Sequence, residues 1–407
     1  MIAEFKVRNF YSIRQEQSLS FMPSSSKLYE DEFLCEVKPG VRLLKMGLIF
    51  GANASGKTNI LRALDTFRKL MVFSPSDKLK GLDFVPFLLD QGSREENTYM
   101  EMIFYLDRVK YCLNIEYDAK RIVKEELTIT ESIKSALAYK RTFCKNTDQP
   151  LIEFGTKIKL SKKSRQAIVS NTLNNSTVLS AFGKTNTEAS LLDKVYEYFT
   201  ASFQPLLEPN MLLSSFVKDS LSEEKNGKLK NFLLKMLKAS DFNIVNVDIR
   251  EEGEANPELS FEHKTADGTF SLPENLESIG TIRYMGMALL LSRLLQFTSM
   301  VSIDEVESSI YSDLVAYFIK IFLANSENNS QLLMTTHDLN LMNEDFLRRD
   351  VLWSADKQTT GETHLNRFSE MGLHKSASIY NAYRQGKLGQ LPFLENIYIN
   401  LNDPNEK

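Results

Sequence analysis

The run Phe50-Gly51-Ala52-Asn53-Ala54-Ser55-Gly56-Lys57-Thr58 constrains this chain more than any other stretch. It carries the G-x-x-x-x-G-K-[ST] spacing of a phosphate-binding loop. The apolar segment Met46–Phe50 predicts a buried strand leading into it. After it, Ile60, Leu61, Leu64, Phe67 and Met71 recur at helical spacing. A strand–loop–helix context is what the motif needs. The glycines let the backbone wrap around a phosphate, and the N–H groups of the loop and the helix N-terminus converge on it. Asn53, Ser55 and Gly56 are expected to form the cradle for ATP. Lys57 is expected to reach the β- and γ-phosphates, and the Thr58 hydroxyl to sit on Mg²⁺.

A loop of this kind needs a sheet around it, and 407 residues are enough for two or three subdomains. Hydrophobic residues at 43% and charged residues at 25% are those of a soluble globular protein. A net charge of -4 with no long basic tail does not imply non-specific nucleic-acid binding by the whole surface. Cys35, Cys112 and Cys144 have no metal-ligand spacing, and an odd number cannot all pair, so a reducing cytoplasm is expected. Met1-Ile2-Ala3-Glu4 does not open a signal peptide. The most apolar long stretch, Tyr284–Phe297, is interrupted by Arg293 and too short to span a bilayer, so no membrane association is expected.

The fold class predicted is α/β: a mixed central sheet around the phosphate-loop helix, an antiparallel β subdomain, and a helical insertion. Ile2–Phe10 alternates as a half-buried strand, with Ser18–Met22 as its antiparallel partner. Phe84-Val85-Pro86-Phe87 is proline-interrupted and reads as an edge or a loop. Tyr99–Phe104, Lys110–Tyr117 and Ile122–Thr130 form a three-strand meander, continued through Phe143 and Ile152 to Leu160. Residues 1–161 are thus the first part of the head. Residues 162–240 read as a helical insertion, with Lys225-Asn226-Gly227-Lys228 as a surface loop. The insertion has no motif acids, so it is expected to serve assembly or partner binding, and its deletion to spare ATP binding. Residues 241–407 complete the head. They open with strands at Phe242–Arg250, Glu258–His263 and around Phe270, followed by a buried helix over Ser278–Phe297.

Two further strands end in chemistry. Met300-Val301-Ser302-Ile303-Asp304-Glu305 has the form of a Walker B strand. Asp304 would hold Mg²⁺, and Glu305 would polarise the attacking water. Gln331–Asp338 is a second apolar strand, with His337 where a γ-phosphate sensor would stand.

The order Gly51–Thr58, Glu277–Arg283, Ile303–Ser309, Thr336-His337-Asp338 resembles an ABC-type ATPase head of the SMC and RecF sort. More closely, the chain resembles the bacterial AAA_15-like ATPases of the RloA/AbiLii group, which includes the AriA subunit of the PARIS anti-phage system. Phe5–Ile13 and Tyr380–Pro392 are similar to that group's opening and ending, so the likeness covers nearly the whole chain. It implies that Glu277–Arg283 stands in for the transporter signature. Ser278 and Gly280 would then meet a γ-phosphate bound by a second protomer in a homodimer or higher oligomer. It also implies Asn9 and Arg8 near the base or ribose, Gln91 as a Q-loop metal contact, and Ser308 in the D-loop. Tyr311 stands where relatives usually have His, a change expected to alter packing only. Lys387-Leu388-Gly389 replaces the group's usual Arg-Tyr-Gly.

Four functions compete. The first is an ATP-gated switch or scaffold of an anti-phage system, sensing DNA or another phage trigger and controlling a separate effector such as a nuclease encoded nearby. No Toprim nuclease is expected in the stretch after His337, and Asp350, Asp356 and Glu362 read as scattered surface acids. The second is a RecF-like DNA-repair or DNA-end-binding ATPase, which would show a basic face and salt-dependent DNA binding. The third, a transporter ATPase subunit, is opposed by the altered signature and the large insertion. The fourth, a non-hydrolysing nucleotide-binding protein, is opposed by Glu305 and His337. The sequence favours the first.

Overall fold

The computed structural model describes residues 1–209, 211, 213–223, 226–240, 242–250, 258–374 and 377–389. In chain order, β1 (Ile2–Arg8) pairs antiparallel with β2 (Gln17–Ser20). A short helix α1 (Glu30–Phe33) and the ribbon β3 (Leu34–Lys38) and β4 (Val41–Leu44) lead to β5 (Met46–Phe50). Every residue of β5 is buried, as its unbroken apolar run requires of a central parallel strand. The phosphate loop then joins β5 to α2 (Lys57–Val72).

The meander follows as β6 (Thr98–Leu106), β7 (Val109–Tyr117), β8 (Ile122–Thr130), β9 (Ala136–Cys144) and β10 (Gln149–Phe154). Burial alternates along β6 and β7, so one face packs inward and the other meets solvent. With β1 and β2 these strands make a seven-stranded antiparallel sheet in the order β10-β9-β8-β7-β6-β1-β2. The proline-interrupted segment around Pro86 is a loop, not a strand.

Residues 162–239 are largely helical: α3 (Lys162–Asn171), α4 (Val178–Gly183), α5 (Ser190–Glu197), α6 (Leu213–Glu223) and α7 (Lys228–Ala239). Lys225 of the expected surface loop lies outside the described residues. A small antiparallel sheet, β11 (Ile244–Arg250), β12 (Glu258–Thr265) and β13 (Gly268–Pro273), precedes the apolar helix α8 (Ile279–Gln296). The chain then forms β14 (Met300–Ile303), α9 (Ser312–Asn325), β15 (Gln331–Thr336), β16 (Leu352–Lys357), β17 (Thr363–Arg367) and α10 (Ile379–Arg384). Gln390-Leu391-Pro392 of the expected family-like ending lies outside the described residues.

The second large sheet runs β14-β15-β5-β16-β17, parallel except for the β16–β17 hairpin. The fold is therefore α/β, with a mixed sheet, an antiparallel sheet and a helical region, as the sequence predicts. Its core joins the two sheets through α2. The Phe67 ring of α2 lies 5.8 Å from that of Phe5 on β1 and 5.9 Å from that of Phe199. The buried Gln331 amide adds a polar link. Its Nε2 donates to the carbonyls of Ile2 and Leu44 at 2.9 and 3.1 Å, and its Oε1 accepts from the Ile2 N–H at 2.5 Å.

The helical region, whose deletion is expected from the sequence to spare ATP binding, is joined to the head by main-chain pairing. Its segment Phe203–Leu207 runs parallel to β14, bridging Phe203 to Met300 and Leu207 to Ile303. The Leu207 N–H donates to the Ser302 carbonyl at 2.9 Å, and the Asp304 N–H donates to the Leu207 carbonyl at 2.9 Å. The insertion thus covers the edge of the sheet beside the Walker B strand. It also completes a buried polar cluster in the meander. Glu125 and Arg141 are both fully buried. Glu125 accepts from the Tyr139 hydroxyl at 2.6 Å and from the Val178 N–H at 2.8 Å. Arg141 donates to the carbonyls of Leu173 and Asn174 at 3.3 and 3.0 Å. Burial pushes the Glu125 carboxyl up and the Arg141 guanidinium down, the latter to about 10.

A correction concerns the acids after His337. Asp350 is buried and paired with Arg348 at 2.6 Å, and Asp356 is buried and accepts from Ser354 and Asn366. They are ties within the fold and not surface charges. Tyr311 is 72% exposed.

Candidate functional site

The loop after β5 is shaped by two close approaches. Gly56 has φ +98°, and a Cβ there would collide with the Thr363 side chain. A Cβ on Gly51 would lie 2.5 Å from Ser55 Oγ and 2.6 Å from the Ala355 carbonyl. The loop is braced from outside by residues with no role in the sequence-based assignment. Thr363 Oγ1 donates to the Ser55 carbonyl at 2.8 Å and lies 2.7 Å from Ser12 Oγ, which accepts from the Asn59 amide at 2.7 Å. Ser12 and Thr363 are more than three hundred positions apart, so no local pattern could have joined them.

Lys57 is buried, and its Nζ donates to the Gly51 and Ala52 carbonyls at 2.8 and 3.0 Å. Burial pushes its ammonium down, opposed by the nearby charges of Glu305, Asp304 and Glu307. Thr58 Oγ1 donates to Asp304 Oδ2 at 2.9 Å, and Thr335 Oγ1 donates to Asp304 Oδ1 at 2.5 Å. The same Thr335 oxygen accepts from the Glu305 N–H at 2.9 Å. The phosphate loop, the Walker B strand and the His-bearing strand therefore meet at one carboxylate. They can meet because β14, β15 and β5 are adjacent and parallel, which brings their C-terminal ends together.

These ends open onto a cavity of about 650 Å³, the size of a nucleotide-class pocket. Asn53, Ser55, Gly56, Lys57, Thr58, Glu305 and His337 all line it, and Asp304 stands directly behind Thr58. Its other walls are Tyr11, the loop Val85–Leu89, Lys357 and Gly361. Glu305, just past the end of β14, has φ +45°, a backbone conformation uncommon outside glycine. His337 is 52% exposed on its side chain, and its Nδ1 lies 2.7 Å from Glu307. Glu307 has no role in the sequence-based assignment, although a second acid two positions past Glu305 is a visible signal.

Five of the expected contacts, Asn9, Arg8, Gln91, Ser278 and Gly280, do not line this cavity. Asn9 is fully buried, and its side-chain amide is spent on the chain itself. Its Nδ2 donates to the carbonyls of Ser93 and Glu96 at 2.8 and 2.7 Å, and its Oδ1 accepts from the Phe87 N–H at 2.9 Å. Asn9 therefore holds the Val85–Leu89 wall in place from behind, and Tyr11 is the side chain of that segment facing the cavity. Arg8 is exposed and lies over the Tyr99 ring at 5.8 Å. Gln91 is exposed on the turn beyond that wall and is not among the residues lining this cavity. Ser278 and Gly280 also stand apart from the cavity within the same chain. Ser278 caps α8 by accepting from the Thr281 N–H at 3.0 Å. A Cβ on Gly280 would lie 2.7 Å from the Ser309 carbonyl, so only glycine lets α8 approach that turn.

Arg283, one helical turn into α8, ties the signature-like segment to the Walker B end. It is buried, and it donates to the carbonyls of Pro209, Asp304 and Glu305 at 2.9, 3.4 and 3.2 Å.

The residues fit a nucleoside triphosphate with a divalent cation. Ser55 Oγ is buried without a hydrogen-bond partner inside the cradle. The loop is tightened where glycine alone fits, and a hydroxyl and a carboxylate stand together as hard oxygen donors. Such a donor set suits Mg²⁺, which keeps most of its waters and takes few protein ligands. Among the described residues no group of three or more His, Cys, Asp or Glu side chains could hold a metal by itself.

A family model described as "AAA domain, putative AbiEii toxin, Type IV TA system" matches residues 48–343, from the phosphate-loop strand past His337. Among solved structures, the SMC head domain from Thermotoga maritima is 13% identical, covers 90% of this chain and 98% of its own, and superposes with a TM-score of 0.43. An SMC head bound to the C-terminal winged-helix domain of ScpA is 12% identical, covers 94% of this chain and 99% of its own, and has a TM-score of 0.43. A search of curated proteins gives no match.

Proposed function

The chain belongs to the AAA-domain family whose description names the AbiEii toxin of type IV toxin–antitoxin systems, and on that premise we propose that it is an ATP-binding and hydrolysing switch of an anti-phage defence system. The observation that carries the proposal is the 2.9 Å bond between Thr58 and Asp304, which joins the phosphate loop to the Walker B strand beside Glu305 and His337. Asn53, Ser55 and Gly56 cradle the phosphates with loop N–H groups. Lys57 turns from its loop carbonyls to the β- and γ-phosphates. Thr58 and Asp304 would hold Mg²⁺, which would neutralise phosphate charge. Glu305 orients the attacking water and takes its proton, and His337 meets the terminal phosphate.

Lys57→Ala is expected to weaken ATP binding about 10- to 100-fold, since charge-assisted hydrogen bonds of this kind are worth about 1.5–3 kcal/mol. Equilibrium dialysis with ATP measures it. Wild-type affinity in the folded variant removes the basis for the assignment.

We assign Ser278 and Gly280 to the site of a second copy. Ser278 and the neighbouring Ile279 are exposed at the N-terminus of α8, where N–H groups and the helix dipole favour an anion. ATP should therefore raise the molar mass seen by light scattering. Ser278→Arg, which puts a bulky side chain into the joint, should abolish that rise while ATP still binds. A wild-type mass that ATP never changes rules out a shared site.

Defence is supported by the family description and by the resemblance to the RloA/AbiLii group. A separate effector is supported by the same resemblance. No described helix is long and apolar enough to cross a membrane. A cytoplasmic location is proposed from the cysteine usage, since Cys35, Cys112 and Cys144 are all free thiols. Co-purification with the products of neighbouring genes tests the effector. A chain that degrades nucleic acid alone, and loses this on mutation of its own acids, overturns that part.

A further inference from the structure

Glu307 is unusual for an acid in a turn. Its side chain is 8% exposed, and its Oε2 is buried without a hydrogen-bond partner among the described residues. Its Oε1 is engaged twice by one residue: it accepts from the His337 N–H at 2.6 Å and lies 2.7 Å from His337 Nδ1. The turn that carries it is further bound to the His-bearing strand, because the Val306 N–H donates to the Thr335 carbonyl at 3.0 Å. A neutral side chain could link the two segments without leaving a buried carboxylate oxygen unpaired. The cost is sensible if the carboxylate does something to the ring.

We infer that Glu307 is a positioning residue that fixes the proton of His337 on Nδ1, so that Nε2 is the ring nitrogen presented to the nucleotide cavity. This rests on the proposed ATPase reading for its purpose, though not for its geometry. A carboxylate only accepts, so Nδ1 must donate, and this settles the tautomer. The backbone N–H bond to the same oxygen keeps the carboxylate from turning away. Any second proton on the ring is then confined to Nε2, which donates to a phosphate oxygen when protonated and accepts when not. Glu307 is thereby taken up by His337, which leaves Glu305 as the acid free to face the cavity and assist water.

Two variants and two readouts test this. The nitrogen spectrum of the imidazole rings at a pH where they are neutral, with His337 identified by its loss in His337→Gln, needs no nucleotide. Wild type should give the Nδ1–H form at His337. Glu307→Ala should give the Nε2–H form that an unrestrained imidazole favours. Glu307→Gln should keep Nδ1–H, because its oxygen is still held by the His337 N–H. In turnover, Glu307→Ala should lower kcat about 10- to 100-fold, by analogy with the loss when the carboxylate orienting a metal-bound His is removed. KM for ATP should stay unchanged, and Glu307→Gln should lie nearer wild type than Glu307→Ala. An Nδ1–H ring in Glu307→Ala, or an unchanged kcat in that variant, overturns the inference. A wild-type chain that hydrolyses no ATP overturns the proposed function instead, and the ring spectrum still decides whether Glu307 sets the tautomer.

Discussion

Glu305→Gln is expected to cut ATP turnover by on the order of 10²–10⁴-fold, the range lost when a general base is removed. Glutamine has nearly the same shape and can still hydrogen-bond to water, but it cannot take a proton. The backbone should tolerate the change. The Glu305 N–H bond to Thr335 and the Arg283 bond to the Glu305 carbonyl are main-chain contacts that the substitution leaves alone. ATP binding should persist because Lys57, Thr58 and Asp304 are untouched. If the shared site with Ser278 holds, unhydrolysed ATP should keep two copies together. The variant with ATP should then run as a larger and longer-lived species than wild type. Adding Ser278→Arg should release it. Sizing single and double variants with and without ATP, alongside phosphate release, separates the outcomes. Wild-type turnover in Glu305→Gln would falsify the assignment of the base, whereas lost turnover without trapping would leave the base and remove the shared site.

Deleting Lys162–Ala239 and closing the gap with a short linker is expected to abolish folding. The deletion removes Phe199 and Phe203, each at most 1% exposed, and truncating one such buried ring to Ala already costs about 3–5 kcal/mol. It removes the Val178 N–H from Glu125 and two carbonyls from Arg141, leaving buried charged groups short of partners. It also strips Phe203–Leu207 from β14, the strand that carries Asp304 and Glu305. The sum exceeds the roughly 5–15 kcal/mol by which domains are stable. Circular dichroism and a thermal melt measure it. A deletion variant that melts cooperatively and binds ATP would show that the head stands without this region.

The deletion also marks where the sequence was easiest to misread. The phosphate loop was legible because strand, glycines and helix lie next to one another along the chain. The meander was legible because β6 and β7 alternate residue by residue. What was missed is held by distant partners. Phe203–Leu207 follows a helix and has no strand periodicity of its own; it is extended only because the edge of β14 is there to pair with it. Asp350 and Asp356 look like ordinary surface acids until Arg348, Ser354 and Asn366 are brought against them. Asn9 was placed by resemblance beside the base, but its amide is saturated by carbonyls and an N–H from the wall it supports. Glu307 was in plain view, but its meaning depends on a bond to His337 across the sheet.

The position of β5 has a consequence in time. Both of its neighbours in the sheet, β15 and β16, are made long after it, as residues 331–336 and 352–357. A ribosome delivers about 5–20 residues per second, so the phosphate loop leaves the tunnel many seconds before the strands that hold its shape. During that interval the strand Met46–Phe50, apolar along its length, has no edge to join and is a target for chaperones or misplaced pairing. The antiparallel meander, built from neighbours in sequence, can close first and serve as the template. The nucleotide cavity is therefore a late product of synthesis. A growing chain that has not yet delivered residues 352–361 lacks the Lys357 and Gly361 wall of that cavity.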